Sequence, residues 1–83
     1  MAQVRRIFES LRDRRGVVRF RDFERVLLAF GFVLQRTRGS HRAYAHPRTA
    51  RPLVIQPRGT DAKPYQVREF LDMIEEHGLR MDE

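Results

Sequence analysis

Apolar residues recur along this chain at two periods, and the change between them divides it. Val4, Ile7, Phe8 and Leu11 follow the i, i+3, i+4, i+7 spacing of one helix face. The spacing returns at Phe23, Val26, Leu27 and Phe30, and again at Val67, Phe70, Leu71 and Ile74. Each run closes in a glycine: Gly16 behind Arg14-Arg15, then Gly31, then Gly78. A left-handed residue ends a helix there without a Cβ penalty. Pro64 suits the first turn of the third helix, where a backbone N–H has no partner within the helix. The three apolar faces predict a shared core.

Between Gly31 and Pro64 the period falls to two. Phe32 to Thr37 reads as a strand, Arg38-Gly39-Ser40 as a turn, and His41 to Ala45 as the hairpin partner. His46 to Pro52 is a proline-bounded loop. Leu53-Val54-Ile55-Gln56 is a third short strand, closed by Pro57-Arg58-Gly59. The predicted class is α+β in the order α-α-β-β-β-α, with helices on one face of a three-stranded antiparallel sheet. No repeat or linker divides the 83 residues, so residues 1–83 are expected to form one domain with a modest core. Alternation puts His41, Ala43 and Ala45 on one sheet face and Arg42, Tyr44 and His46 on the other. Periodicity leaves open which face the helices cover. Tyr44 as a core aromatic with a wet hydroxyl leaves His41 on the open face.

Charge then points to a partner. Arg36, Arg38, Arg42, Arg48, Arg51, Arg58, Lys63 and Arg68 stand against Asp61 alone between residues 36 and 68, a balance of +7. From Glu69 to Glu83 six acids face Arg80, a balance of −5. The middle segment fits a polyanion, because cations placed on phosphates release condensed counterions. Sixteen of the 17 basic residues are arginine, whose fork matches phosphate bidentately. Within this segment His41 follows a Gly-Ser turn, and a titratable imidazole there can move a proton on whatever binds. His46 reads as an exposed loop residue. His77 lies in the last helical turn, where an imidazolium complements the macrodipole. Asp72, Glu75 and Glu76 form a solvated helix face.

The chain has no cysteine, which excludes disulfides and thiolate metal sites. His41 and His46 fall on opposite strand faces with no carboxylate near them in sequence, so no metal site is expected, nor any small-molecule cofactor. No apolar run approaches the roughly 20 residues of a membrane span, and the start of the chain lacks a signal-type apolar stretch. A cytoplasmic protein with no membrane partner is the expectation.

A set of short motifs in fixed order carries a resemblance. These are Val18-Arg19-Phe20, Gly31-Phe32, Gly39-Ser40-His41 with Tyr44, Ile55-Gln56-Pro57, and Ala62-Lys63-Pro64-Tyr65-Gln66-Val67-Arg68. Together they resemble the HicA-type toxins of bacterial toxin–antitoxin modules over roughly residues 17 to 79. The helix within residues 1–16 lies outside that core. The resemblance implies a fold like the double-stranded-RNA-binding domain, sequence-relaxed mRNA cleavage, and a HicB-type antitoxin that covers the active site. The family's catalytic histidine falls on His41. Many members carry a second histidine after the third strand, where Gly59 follows Pro57-Arg58 here; that role is absent, or has passed to Arg58 or Lys63.

The expected RNA-binding residues are Arg36, Arg38, Ser40, Arg42, Arg58, Lys63, Tyr65 and Arg68. Lys63 would hold a phosphate at the start of the third helix and Tyr65 would stack on an unpaired base. Two other classes compete. A non-catalytic RNA-binding module would use the same surface. A DNA-binding repressor would use the first two helices as a helix-turn-helix, although the Arg14-to-Phe20 connection is long for that motif.

Overall fold

The computed structural model describes residues 2–13 and 16–81; the Arg14-Arg15 pair lies outside the described residues. The order is α1 (Ala2–Asp13), α2 (Phe20–Ala29), β1 (Val33–Arg38), β2 (His41–Ala45), β3 (Leu53–Ile55) and α3 (Pro64–His77). The strands form one antiparallel sheet in the order β1-β2-β3. This is the α+β fold that the two periods predict.

The sheet's covered face is set by β2 and β3. Tyr44 pairs with Leu53 and Arg42 with Ile55, and Tyr44, Leu53 and Ile55 are buried. Phe70 of α3 is the hub of the core. Its ring meets Phe23 at 5.7 Å, Phe30 at 5.4 Å and Phe32 at 5.9 Å, all tilted or edge-on. Such pairs add to the transfer free energy of burying the rings. Phe8 of α1 reaches Phe30 at 4.8 Å, so α1 closes the far side of the helical layer, with Leu11 buried.

Helix α3 buries a stripe rotated from the one its apolar spacing predicts. Gln66, Phe70 and Met73 are its buried residues, while Val67, Leu71 and Ile74 are partly buried beside the core. The reason is that α3 has two apolar neighbours. One side faces the sheet; on the other, Leu71 and Ile74 line a groove with Phe8 of α1. Gly78, at φ 62 and ψ 38, ends the helix, and the Leu79 N–H donates to the Ile74 carbonyl at 3.0 Å.

The strand boundaries differ slightly from the periodic reading, for reasons visible in the backbone. Phe32 does not open β1, because its N–H donates to the Leu27 carbonyl at 3.1 Å and helps close α2. The hairpin turn needs only Gly39, at φ 60, and Ser40, so Arg38 joins the strand opposite His41. Between Leu34 and Arg36 the register shifts, leaving Gln35 as a bulge. Strand β3 stops at Ile55 because the Gln56 N–H donates to the Gln66 side chain rather than to a strand.

One further pairing places the start of α3. The Phe20 N–H donates to the Thr60 carbonyl and the Ala62 N–H to the Val18 carbonyl, each at 2.8 Å. The approach to α2 is thereby tied to the approach to α3, fixing Lys63 at the N-cap of the latter.

Candidate nucleic-acid interface

His41 is the first residue of β2, exposed, and on the face opposite the helices. Facing residues in an antiparallel pair project to the same side. Arg38 is opposite His41 and Arg36 opposite Ala43, while Ala43 faces Val54 across the next pair. The open face thus presents Arg36, Arg38 and His41 around Ala43 and Val54. All six residues of β1 are exposed.

A chain of hydrogen bonds joins the hairpin turn to α3. The Gln56 Nε2 donates to the Ser40 Oγ at 2.9 Å, and the Lys63 Nζ donates to the Gln56 Oε1 at 3.2 Å. The Gln56 backbone N–H donates to the Gln66 Oε1 at 3.0 Å, and the Gln66 Nε2 donates to the Tyr65 hydroxyl at 3.3 Å. Gln66 is 5% exposed, the one buried polar residue among those described. Residues distant in sequence are therefore gathered around Gln56: Ser40 beside His41, then Lys63, then Tyr65. Neither glutamine is among the site residues that sequence alone points to. Gln66 leaves a signal all the same, as a polar residue four before Phe70 on the core-facing stripe of α3.

Arg42 lies on the other face. Its guanidinium meets the Glu24 carboxylate at 2.5 Å, and Tyr44 donates its hydroxyl to the same oxygen at 2.7 Å. The Phe20 ring lies 5.7 Å beneath the guanidinium. The Glu24 hydrogen bond raises the pKa of Arg42 above its ordinary value. Burial, followed by the hydrogen bond to Glu24, pushes Tyr44 up to about 12. Tyr44 is thus a core aromatic, and its hydroxyl is held by an acid from α2. Arg58 and Arg68 share another feature of the surface. They line a groove of about 220 Å³ with Val17, Pro64, Val67 and Leu71, whose walls include none of Ser40, His41, Gln56 or Lys63.

The other two histidines have local partners. His46 is half-buried rather than exposed, because its Nε2 bonds the Phe30 carbonyl at 2.9 Å at the end of α2. Its Nδ1 accepts from the Arg48 N–H at 3.1 Å. His77 sits at the end of α3, 4.0 Å from Glu76. Among the described residues, no helix is long and apolar enough to cross a membrane.

A small α+β domain whose open sheet face bears arginines and an exposed histidine carries a cationic footprint of the kind that attracts polyanions. Comparison with protein families is more specific: residues 20–79, well over half of the chain, match the HicA toxin of bacterial toxin–antitoxin modules, and the chain belongs to that family. The match begins at α2, so α1 precedes it. No curated protein and no solved structure matches the chain. Family membership makes this a toxin that acts opposite an antitoxin, of a kind that generally acts on RNA.

Proposed function

We propose that the chain is a metal-independent endoribonuclease that cleaves mRNA, with His41 as general acid and base. RNA supplies its own nucleophile. The imidazole takes the proton of a ribose 2′-OH, O2′ bonds to the adjacent phosphorus, and the P–O5′ bond breaks. The departing O5′ takes a proton from the imidazolium, leaving a 2′,3′-cyclic phosphate and a 5′-OH. This route needs no metal-bound water. Cations beside the phosphorane oxygens lower its barrier, and Arg38 and Lys63 are the two we assign to that task. Acid–base help alone contributes about 10²- to 10⁴-fold, so the enzyme is slow.

The observation that carries this reading is the placement of His41: exposed, opposite Arg38, and one residue from Ser40, which is bonded through Gln56 to Lys63. Lys63, rather than Arg58, takes the place of the second histidine in this reading. Arg36, Arg38, Ser40, Lys63 and Tyr65 bind the RNA; Arg58 and Arg68 extend the basic surface around the start of α3. Arg42 is not among the RNA-binding residues, because Glu24 already engages it. A HicB-type antitoxin covers the His41 face in the cytoplasm, and opposite charge speeds the encounter.

The test is His41→Ala in purified protein with an RNA oligonucleotide. Cleavage should be abolished and folding and RNA affinity kept. Wild-type cleavage by that variant refutes the reading. One feature favours a second reading as a non-catalytic RNA binder: Gly59, at φ 62, stands where many relatives have their second histidine. That reading is established if the wild-type protein binds RNA and cuts none.

A further inference from the structure

The donor and acceptor directions in the network around Gln56 are fixed by chemistry. A lysine ammonium only donates, so the amide atom that meets Lys63 Nζ is the Gln56 oxygen. The other end of that amide is then an N–H, and it donates to the Ser40 Oγ. The Ser40 oxygen has accepted, and its own O–H is left to donate. Gln66 repeats the pattern. The backbone N–H of Gln56 can only donate, so the Gln66 oxygen faces it, and the Gln66 N–H₂ donates to the Tyr65 hydroxyl oxygen. Tyr65 likewise keeps its proton for something else. Among the described residues, neither hydroxyl donates to a protein acceptor. Both residues are exposed.

We propose that Gln56 and Gln66 are positioning residues that turn the Ser40 and Tyr65 hydroxyls outward as donors. With the Lys63 ammonium these offer three donors to the anionic oxygens of a phosphodiester backbone. The proposal rests on the ribonuclease reading for the identity of that phosphodiester and deepens it by giving two glutamines a directional task. Acceptors are what a phosphate presents, and donors are what this arrangement presents. Had either amide been reversed, its hydroxyl would donate inward and offer lone pairs to an anion, which repel it. Hydrogen bonds to a charged group are about twice as strong as neutral ones, so a fixed direction matters here.

Ser40 is then more than a turn residue, and Tyr65 is a donor rather than a stacking platform. A buried amide is tolerated on the core-facing stripe of α3 for the same reason. Gln66 is satisfied on both ends, by the Gln56 backbone and by Tyr65, so its burial leaves no orphaned polar group.

The experiment measures affinity for a short RNA whose cleavage-site ribose is 2′-deoxy, by fluorescence anisotropy at one fixed salt concentration. The variants are Ser40→Ala, Gln56→Glu, the double variant and Tyr65→Phe. Gln56→Glu keeps the shape but can only accept, so Ser40 must now donate inward. Ser40→Ala and Tyr65→Phe should each weaken binding about fivefold to tenfold; Ser40→Ala should keep the thermal midpoint, whereas Tyr65→Phe should lower it by about 4–8 °C per kilocalorie lost, because the buried Gln66 amide loses its acceptor. The double variant should bind no more weakly than Gln56→Glu alone, because both changes remove the same donor. Losses that multiply in the double variant would show that Gln56→Glu acts through its charge, overturning the proposal for Gln56 and Ser40. Affinity retained by Tyr65→Phe but abolished by Tyr65→Ala would overturn the proposal for Tyr65 and Gln66 and assign stacking. The substrate is uncleavable, so this result is independent of His41. A failed binding cycle leaves His41 chemistry standing, and a fully active His41→Ala leaves the outward donors standing.

Discussion

Glu24→Ala removes one carboxylate that serves two strand residues, and the structure sets the size of the loss. Tyr44 is 3% exposed, and its hydroxyl gives its proton to Glu24 at 2.7 Å. Without that acceptor a buried hydroxyl is orphaned, at about 1–3 kcal/mol. The Arg42 side chain is 42% exposed, so its ion pair adds at most about 1 kcal/mol, reduced by solvent. The total is about 1–4 kcal/mol. In a domain of this size each kilocalorie shifts the thermal midpoint by about 4–8 °C, so the fall is roughly 4–32 °C. Tyr44→Phe should cost less, about 1 kcal/mol, because Glu24 keeps Arg42. The double variant Glu24→Ala/Tyr44→Phe should be less damaged than the sum of the singles, since no hydroxyl is then stranded. Urea unfolding followed by circular dichroism supplies all three values. A Glu24→Ala loss within about 0.5 kcal/mol of zero, the range of an ordinary surface change, refutes the reasoning; so does strict additivity with Tyr44→Phe.

Three further outcomes are expected. In a Tyr65→Phe background Tyr44 is the one tyrosine left, and ultraviolet titration should place its ionisation at about 12. An unfolded chain releases that proton near 10. The folded state therefore loses stability between about pH 10 and 12, on the order of 2 kcal/mol, and loses none from this group below that window; a midpoint near 10 in the folded protein contradicts it. Log affinity for single-stranded RNA should fall linearly with log salt, and charge removal at Arg36, Arg38 or Lys63 should flatten the slope by about 0.7 for each phosphate no longer neutralised. Equal flattening by charge removal at Arg42 would show that its pair with Glu24 opens on binding. Cleavage should persist in excess chelator; activity that vanishes there and returns with Mg²⁺, with RNA folding controlled, contradicts a metal-independent route.

Much of this architecture is legible in the spacing of apolar residues, because burial imposes the period of each element. The hairpin partner His41 to Ala45 appears with the bounds that alternation gives it. What escapes is any role decided by a contact across the fold. Arg42 and Arg38 look alike in a count of cations, yet one meets Glu24, eighteen residues away, and the other faces outward. Gln56 reads as the last residue of a strand until its backbone N–H is seen on Gln66. His46 looks like a loop residue until its ring is found on the Phe30 carbonyl. Local pattern has no information about these pairings.

The bulge at Gln35 has a consequence for chain length. The turn fixes Arg38 to His41 and Arg36 to Ala43, while the chain leaving Phe32 brings Leu34 opposite Tyr44 on the covered side. A strictly alternating strand cannot meet both demands with the residues present; Gln35 is the residue the ladder does not count. Deleting it should straighten the strand and leave every neighbour on its present side. Deleting Thr37, or inserting one residue between Arg38 and His41, shifts the register by one and exchanges the two faces along the hairpin. Length variation that keeps the two arginines beside His41 is therefore confined to a single position of β1, and the rest of the hairpin is held to a fixed count.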